Sequence, residues 1–487
     1  EERFNEVREL ANDVVFKYHD EIKNLPGSTK VREMLVKDAL SYLDRLSQNS
    51  SSNPSLQREL ARAYMKIGDV QGEAYNANTG DTAGAIESYR KSVALLEPLQ
   101  NGELQTDISY LTELNSAYRG LGILLMRAAD STSGDFLKKA FAVSQKLFEI
   151  EPSLTQRITL IRTQIGVGDT VPTITGAGSR KEIYEQTYAM AEELFRTEPE
   201  NAGVIKVFAI VSSRLGYIIS TLANSYLNIE RKDLAEKLYQ EAEIYQKKAL
   251  NLAEKLAVSN PNNTLYQRNL IIARLDLSES ECELGQTESA LKTQLQLYRE
   301  INEVIQSDPA NLESKADKSD ICDNLGTTNL RLENYAEAIE KYREGMILLE
   351  RNIIADKGNL ELEGRRFKIA QHLANVLLAK GEAESAIREY EAAYQRIENA
   401  RQNKESLIPW HCVINEKVGD AYFYLAAKPN ISNERKTQFL KSAKEEYEKA
   451  LKAKELPNLP PTLFGENRER LENIEQKLAR LKFLFQM

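Results

Sequence analysis

The chain has 487 residues, of which 42% are hydrophobic and 28% charged, with only 23 glycines and 13 prolines. This length exceeds what one compact core accommodates, so several domains or a repeat array are expected. The net charge of −9 argues against a nucleic-acid partner, and three widely separated cysteines exclude a disulfide framework. Because the strong helix formers Leu, Ala, Glu, Lys and Gln dominate, we predict an all-α protein.

In chain order, the first element is a predicted N-terminal helical hairpin at 1–52, broken at "NLPGST". The Ser- and Asn-rich joint "SQNSSSNP" ends it. About eight further helical hairpins are expected over 53–457, and a charged helix at 464–487 is expected to cap them, because the ends of a solenoid need a polar cover. The Gly/Thr-rich stretch 166–181 is expected to be a mobile loop.

A repeat of about 50 residues runs through the array: a small residue after an aliphatic one, then Ala, then an aromatic residue four positions later. Gly326, Ala338 and Tyr342 form one such set. This spacing resembles the tetratricopeptide repeat (TPR), in which the small residue and the Ala let two helices cross closely. We therefore predict a right-handed solenoid of TPR-like hairpins whose helices are longer than usual.

The stretch "KIGDVQGEAYNANTGD" contains Gly-Asp twice, and the spacing assigns the two glycines different roles. Gly68 is expected inside a helix at the crossing, and Gly80 in the turn that follows. The loop "YNANTGD" between them has two interpretations. Its Asn residues could cap backbone groups of the turn, which the composition favours, or Tyr75, Asn76 and Asn78 could contact a ligand.

The concave face of a TPR array is lined by the first helix of each hairpin, and the register predicts which residues face the groove. Six of the sixteen predicted positions are acidic and one, Arg119, is basic, so a protein or peptide partner that is basic or neutral is expected. The alternative is that these carboxylates are only solvated surface. The candidate partner-binding residues in the groove are Asp69, Asp169, Tyr217, Glu279, Asp323, Asn375, Glu416 and Asp420.

No pattern in the sequence predicts catalysis, a cofactor or a metal site. "GAGSRK" lacks the spacing of a phosphate-binding loop, and no predicted strand precedes it. His411 and Cys412 are adjacent on a predicted helix, where neighbouring side chains point about 100° apart, so we interpret them as the start of a helix. The kinase signatures are also absent, and the chain is expected not to be an enzyme.

Residues 3–95 carry a more specific resemblance. The stretches "RFNEVRELAND", "NLPGSTKVREMLVKDALSYLDRL", "PSLQRELARAYMKIGDVQG" and "YNANTGDTAGAIESYRK" resemble the C-terminal segment of bacterial membrane-bound serine/threonine protein kinases of the tetratricopeptide class. In that family a cytoplasmic kinase domain and one transmembrane helix precede the repeats.

The resemblance implies an extracytoplasmic sensory or docking region, attached to the membrane only through a segment N-terminal to this chain. Binding to the array would then alter how two kinase chains associate. The alternative is a free-standing cytoplasmic scaffold that gathers other proteins.

Overall fold

The computed structural model describes residues 19–35, 53–73, 76–100, 102–171, 173–228, 231–400, 408–452 and 464–486. Within these ranges the regular elements are helices, and they form eight consecutive hairpins followed by one further helix. The helices are α1 Pro54–Gly72, α2 Thr82–Leu96, α3 Ile108–Arg127, α4 Ser133–Ile150, α5 Leu154–Thr170, α6 Thr173–Thr197, α7 Ala202–Asn228, α8 Lys232–Ser259, α9 Thr264–Glu283, α10 Thr287–Ser307, α11 Leu312–Arg331, α12 Tyr335–Ala355, α13 Leu360–Ala379, α14 Ala383–Ala400, α15 Ile408–Ala426, α16 Asn433–Leu451 and α17 Phe464–Gln486.

The odd-numbered helices α1 to α15 are the first helices of the hairpins, and most begin at a polar cap. The side chains of Asn53, Asp107, Ser153 and Asn263 each accept a hydrogen bond from a backbone N–H in the first turn of α1, α3, α5 and α9. Such caps satisfy donors that have no partner inside the helix. They set where each first helix begins, and so they fix the repeat register.

In the first and sixth hairpins, a tyrosine of the second helix packs on the crossing glycine of the first helix. A Cβ atom added to Gly68 would lie 2.5 Å from the ring of Tyr89, and one on Gly326 would lie 2.5 Å from the ring of Tyr342. Both tyrosines are at least 94% buried. Glycine is favoured at these two positions because the tyrosine ring lies directly on the helix backbone.

The turn glycines follow the predicted pattern. Gly80, Gly285 and Gly381 have φ angles of 75°, 89° and 90°, in the left-handed region that favours glycine. Each ends a connection between the first and second helix of its hairpin. The assignment of Gly68 to the crossing and Gly80 to the turn is confirmed.

The Gly/Thr-rich stretch 166–181 is mostly helical. The prediction of a mobile loop at 166–181 is wrong, because α5 continues to Thr170 and α6 begins at Thr173. Packing of α6 against α5 and α7 outweighs the weak helix propensity of Gly and Thr.

Of the predicted hairpin at 1–52, only 19–35 is described; it has a one-turn helix at His19–Ile22 and helical residues at 29–35. The remainder lies outside the described residues.

The helix α7 has the most apolar composition among the described helices. Over Ala202–Leu227 it is long and apolar enough to cross a membrane, with a mean hydropathy of 1.6, and 61% of that window is buried inside the array. Its apolar residues, such as Val204, Phe208 and Leu215, are fully buried against the neighbouring helices. In this fold α7 is a core helix, with Lys206 near its beginning.

The array turns far enough for its beginning to contact its middle. The Thr82 hydroxyl donates to Asp356 at 2.7 Å, and the backbone N–H of Leu312 donates to the carbonyl of Asn78 at 3.4 Å. Farther along, Arg127 at the end of α3 lies 2.5 Å from Glu313 and 3.1 Å from Glu361. We call these contacts the closure.

The described N-terminal segment adds to the closure. The hydroxyl of Thr29 donates to Asp308 at 2.6 Å, and the backbone N–H of Thr264 donates to the carbonyl of Asn24 at 3.0 Å. Arg32 is 2% exposed and donates to the carbonyl of Ala77 at 2.8 Å. The segment thus ties the first hairpin to the beginning of α9 and α11.

Candidate ligand-binding lumen

The first helices line the inside of the curve. From α1 to α13, each first helix contacts the next first helix, whereas within the described residues no two second helices make comparably extensive contacts. Helices on the concave side of a curved array lie closer together than those on the convex side. Together with the closure, this arrangement encloses a space lined by first helices, which we call the lumen.

Charged side chains in the lumen are reached by water although protein surrounds them. Asp320 on α11 keeps 39% of its side-chain surface accessible, yet desolvation by the surrounding protein raises its pKa to about 6. Burial likewise raises the pKa of Asp276 on α9 to about 7, although the Ser213 hydroxyl donates to it at 2.9 Å. Accessible but desolvated side chains are the expected lining of a narrow, water-filled channel.

All six acidic residues predicted to face the groove have partners within the chain. Asp69 accepts from the hydroxyl of Tyr89, and Glu279 lies 3.4 Å from the amide nitrogen of Asn224. The other pairs are Asp169 with Arg180 and Tyr184, Asp323 with Lys368 and His372, Glu416 with Arg470 and Lys477, and Asp420 with Lys477 and Tyr447. Each of the six carboxylates is therefore already in contact with another side chain of this chain, and their contact with a partner stays a prediction.

The residue after the crossing position has a shared structural role that the sequence interpretation missed. Its side chain meets the hydroxyl of the tyrosine on the second helix in four further hairpins. The pairs are Asp169 with Tyr184 at 2.8 Å, Thr327 with Tyr342 at 3.0 Å, Asn375 with Tyr390 at 2.5 Å, and Asp420 with Tyr447 at 2.7 Å. This position fixes the tyrosine that lies on the crossing residue, so its polar character serves the hairpin itself.

Asp323 is held by two side chains of α13. It is 3% exposed, with His372 Nδ1 at 2.7 Å and Lys368 Nζ at 3.3 Å. Burial alone would raise the pKa of Asp323, but the charges and hydrogen bonds of His372 and Lys368 outweigh it and lower the pKa to about 2. Asp323 is therefore ionised at neutral pH and joins α11 to α13.

The helix α17 covers the groove positions of the eighth hairpin. Lys477 Nζ lies 2.9 Å from Glu416 and 2.8 Å from Asp420, and Arg470 lies 3.0 Å from Glu416. Apolar residues of α17, including Ile474 and Leu478, complete the contact with α15 and α16. Glu416 is 3% exposed, so at this end of the array the groove is occupied by the chain's own helix.

The loop candidates lie at the closure. Asn78 is 3% exposed; its amide nitrogen donates to the carbonyls of Glu73 and Asn76 at 3.0 Å, and its oxygen accepts from Gly80. Asn78 therefore caps backbone groups of the turn, which is the first of the two interpretations of this loop. Asn76 is partly exposed, and Tyr75 lies outside the described residues. Among the groove candidates, Tyr217 is 40% exposed.

Three cations in the lumen were not assigned to a site from the sequence. The predicted register includes Arg119 on α3 as the one basic groove residue, but it does not include Arg162 on α5 or Lys206 on α7. Each of these two lies seven residues before a predicted groove position, and seven residues are two helical turns on the same face. Extending the register two turns toward the beginning of each helix would have found them.

No group of three or more His, Cys, Asp or Glu side chains that could hold a metal ion occurs in the described part of the chain. The three cysteines are buried, and burial raises the pKa of the Cys412 thiol to about 11.

Comparisons with known proteins give likenesses of fold. No protein-family model matches the chain, and no curated protein matches it. Among solved structures, a Rap protein complexed with Competence and Sporulation Factor is 12% identical with a TM-score of 0.45, covering 88% of this chain and 100% of that one. A human IFIT1 dimer with m7Gppp-AAAA is 13% identical with a TM-score of 0.32, covering 94% and 95%. YrrB, a TPR protein with an unusual peptide-binding site, is 18% identical with a TM-score of 0.24, covering 52% and 96%. The chain resembles these proteins in its helical-repeat fold alone.

Proposed function

We propose that this chain is a non-catalytic binding module that takes up an extended polypeptide segment in its lumen. The observation that carries the proposal is the enclosed space lined by first helices, where Asp320 and Lys368 keep 39% and 49% of their side-chain surfaces accessible to water. A concave array presents many side chains along one path, which suits an extended chain better than a small molecule.

The test is photo-crosslinking with peptide libraries. Three libraries of labelled peptides, acidic, neutral and basic, each carry one photoreactive residue, and mass spectrometry locates the crosslinks. Crosslinks on first helices such as α5 and α7, competed by unlabelled peptide of the same library, are expected. Crosslinks confined to second helices, or no saturable crosslinking by any library, would overturn the proposal.

A finer assignment concerns the protein in which this module acts. We propose that it is the extracytoplasmic sensory or docking region of a bacterial membrane-bound serine/threonine kinase. The support is the resemblance of residues 3–95 to that family's C-terminal segment. The alternative is a free-standing cytoplasmic scaffold.

Cell fractionation with an antibody to this segment separates these two cases. The kinase-linked case predicts a membrane band far heavier than 55.2 kDa, with protease accessibility from the extracytoplasmic side. A soluble band near that mass would instead support the scaffold.

A further inference from the structure

Three positively charged side chains on consecutive first helices have no ionic partner in the described part of the chain. Arg119, Arg162 and Lys206 make no hydrogen bond or ion pair with another described residue. In contrast, the six predicted groove carboxylates are all engaged. The lumen therefore contains three positive charges that no described carboxylate pairs with directly, which the sequence interpretation did not anticipate.

The three cations lie close enough to repel one another. The charge of Arg119, followed by burial, lowers the pKa of Arg162 to about 10. Burial, followed by the charges of Arg162, Arg119 and Lys23, lowers the pKa of Lys206 to about 8. Cations placed together without compensation disfavour their own charged forms, and an anion bound between them would reverse this effect.

The neighbouring carboxylates do not cancel this positive charge. Glu73 at the end of α1 and Asp69 one turn earlier are the acidic groups that act on Arg162. Burial, followed by the charge of Glu73, raises the pKa of Asp69 to about 7, so Asp69 is only partly ionised at neutral pH. The three cations thus outnumber the two neighbouring carboxyl groups, and burial opposes the ionisation of one of these, Asp69.

We infer that Arg119, Arg162 and Lys206 form a binding site for the carboxylates of an acidic peptide segment. The inference rests on the proposed function and names its ligand class. Guanidinium groups bind carboxylates with two parallel hydrogen bonds, while an ammonium group adds a compact third charge. Arg162 is exposed, whereas Arg119 and Lys206 are partly buried, so a ligand can reach all three without unfolding.

An acidic peptide fits this site better than a nucleic acid. A groove that follows a nucleic-acid backbone needs positive charge along its whole length, whereas the chain has a net charge of −9 and here offers three unpaired cations beside Glu73. A peptide can place its few carboxylates at the cations and leave uncharged backbone beside Glu73.

The experiment is fluorescence anisotropy with the full chain and a labelled twelve-residue peptide that contains a block of four Glu. The matched probes are the same peptide with Gln in place of Glu, and a single-stranded RNA of twelve nucleotides. The variant is Arg162→Glu, and its control is Lys292→Glu, which makes the same charge change at an exposed position on the second helix α10.

The expected result is saturable binding of the Glu peptide, weaker by about tenfold or more for the Gln peptide and for Arg162→Glu. Lys292→Glu should bind like the unmodified chain. Equal effects of the two variants, or tighter Arg162-dependent binding of the RNA, would overturn the inference. If neutral or basic peptides crosslink in the lumen while the Glu peptide does not bind, the binding function stands and this inference fails.

Discussion

Gly326 is where the backbone of α11 meets the ring of Tyr342 on α12, and the ring has little freedom to move. Tyr342 is 1% exposed, and its hydroxyl pairs with Thr327 at 3.0 Å, directly after the glycine. An added methyl group would therefore push against a side chain that is fixed at both ends. Overpacking of this kind typically costs 1–3 kcal/mol.

We expect Gly326→Ala to lower the free energy of unfolding by about 1–3 kcal/mol. The matched control is Gly364→Ala, another glycine inside a first helix, whose added Cβ would have no atom within 4 Å. That change should stabilise by about 0.5–1 kcal/mol, because Ala loses less backbone entropy than Gly in a helix. Urea denaturation followed by circular dichroism measures both. Equal effects of the two substitutions would contradict the role of the tyrosine ring.

Residue spacing predicted much of this local packing, because the interacting residues lie within one hairpin. Gly68 and Tyr89 could be assigned from a repeated interval, and so could the turn at Gly80. The same spacing could not show that Asp69 accepts a hydrogen bond from Tyr89, since that depends on where the ring ends in space. The predicted groove residues were therefore on the correct helices, but several of them serve the hairpins.

At the scale of elements, α17 is held to the last hairpin by charge as well as by apolar contact. Lys477 is within hydrogen-bonding distance of both Glu416 and Asp420. Glu416 is 3% exposed, and removing a cationic partner from a buried ion pair is typically destabilising. The sequence indicated a capping helix, but not that it would use the two carboxylates expected to meet a ligand.

We expect Lys477→Glu to release α17, because it places a third negative charge beside Glu416 and Asp420. Hydrogen exchange of the amides in 464–486 should become faster. Arg480→Glu makes the same charge change on the exposed side of α17 and should leave this exchange unchanged. If both variants protect these amides as well as the unmodified chain does, the contacts of Lys477 are not needed to hold the helix, and apolar packing with the Arg470–Glu416 pair is sufficient.

At the scale of the whole molecule, the closure distinguishes this array from an open solenoid. In an open array each repeat contacts only its neighbours, and unfolding can begin at either end. Here the side chains of Thr82 and Asp356, which are 274 residues apart in the sequence, form a hydrogen bond. No repeat interval predicts such a contact, because it depends on the summed curvature of several hairpins. The lumen could not be predicted from the sequence for the same reason, since it exists only when the array closes.

Arg127 forms a buried ion pair in the closure. It is 3% exposed and is paired with Glu313, 4% exposed, and with Glu361. Removing one partner from a buried ion pair typically costs 3–5 kcal/mol, because the remaining charge is left without compensation. Arg268 lies 3.6 Å from Glu313 and compensates part of this charge, so the cost here should be toward the lower end.

We therefore expect Arg127→Met to weaken the closure while each hairpin remains folded. The radius of gyration from small-angle X-ray scattering should increase, and the single urea transition should separate into two, because the first hairpins no longer unfold together with α11 to α13. The control is Arg274→Met, which breaks the pair with Glu300 inside the fifth hairpin, where the side chains are 21% and 33% exposed. That pair should contribute at most about 1 kcal/mol and should not affect the shape. If Arg127→Met has the same radius of gyration and the same single urea transition as the unmodified chain, the remaining contacts of the first hairpin close the array without this ion pair.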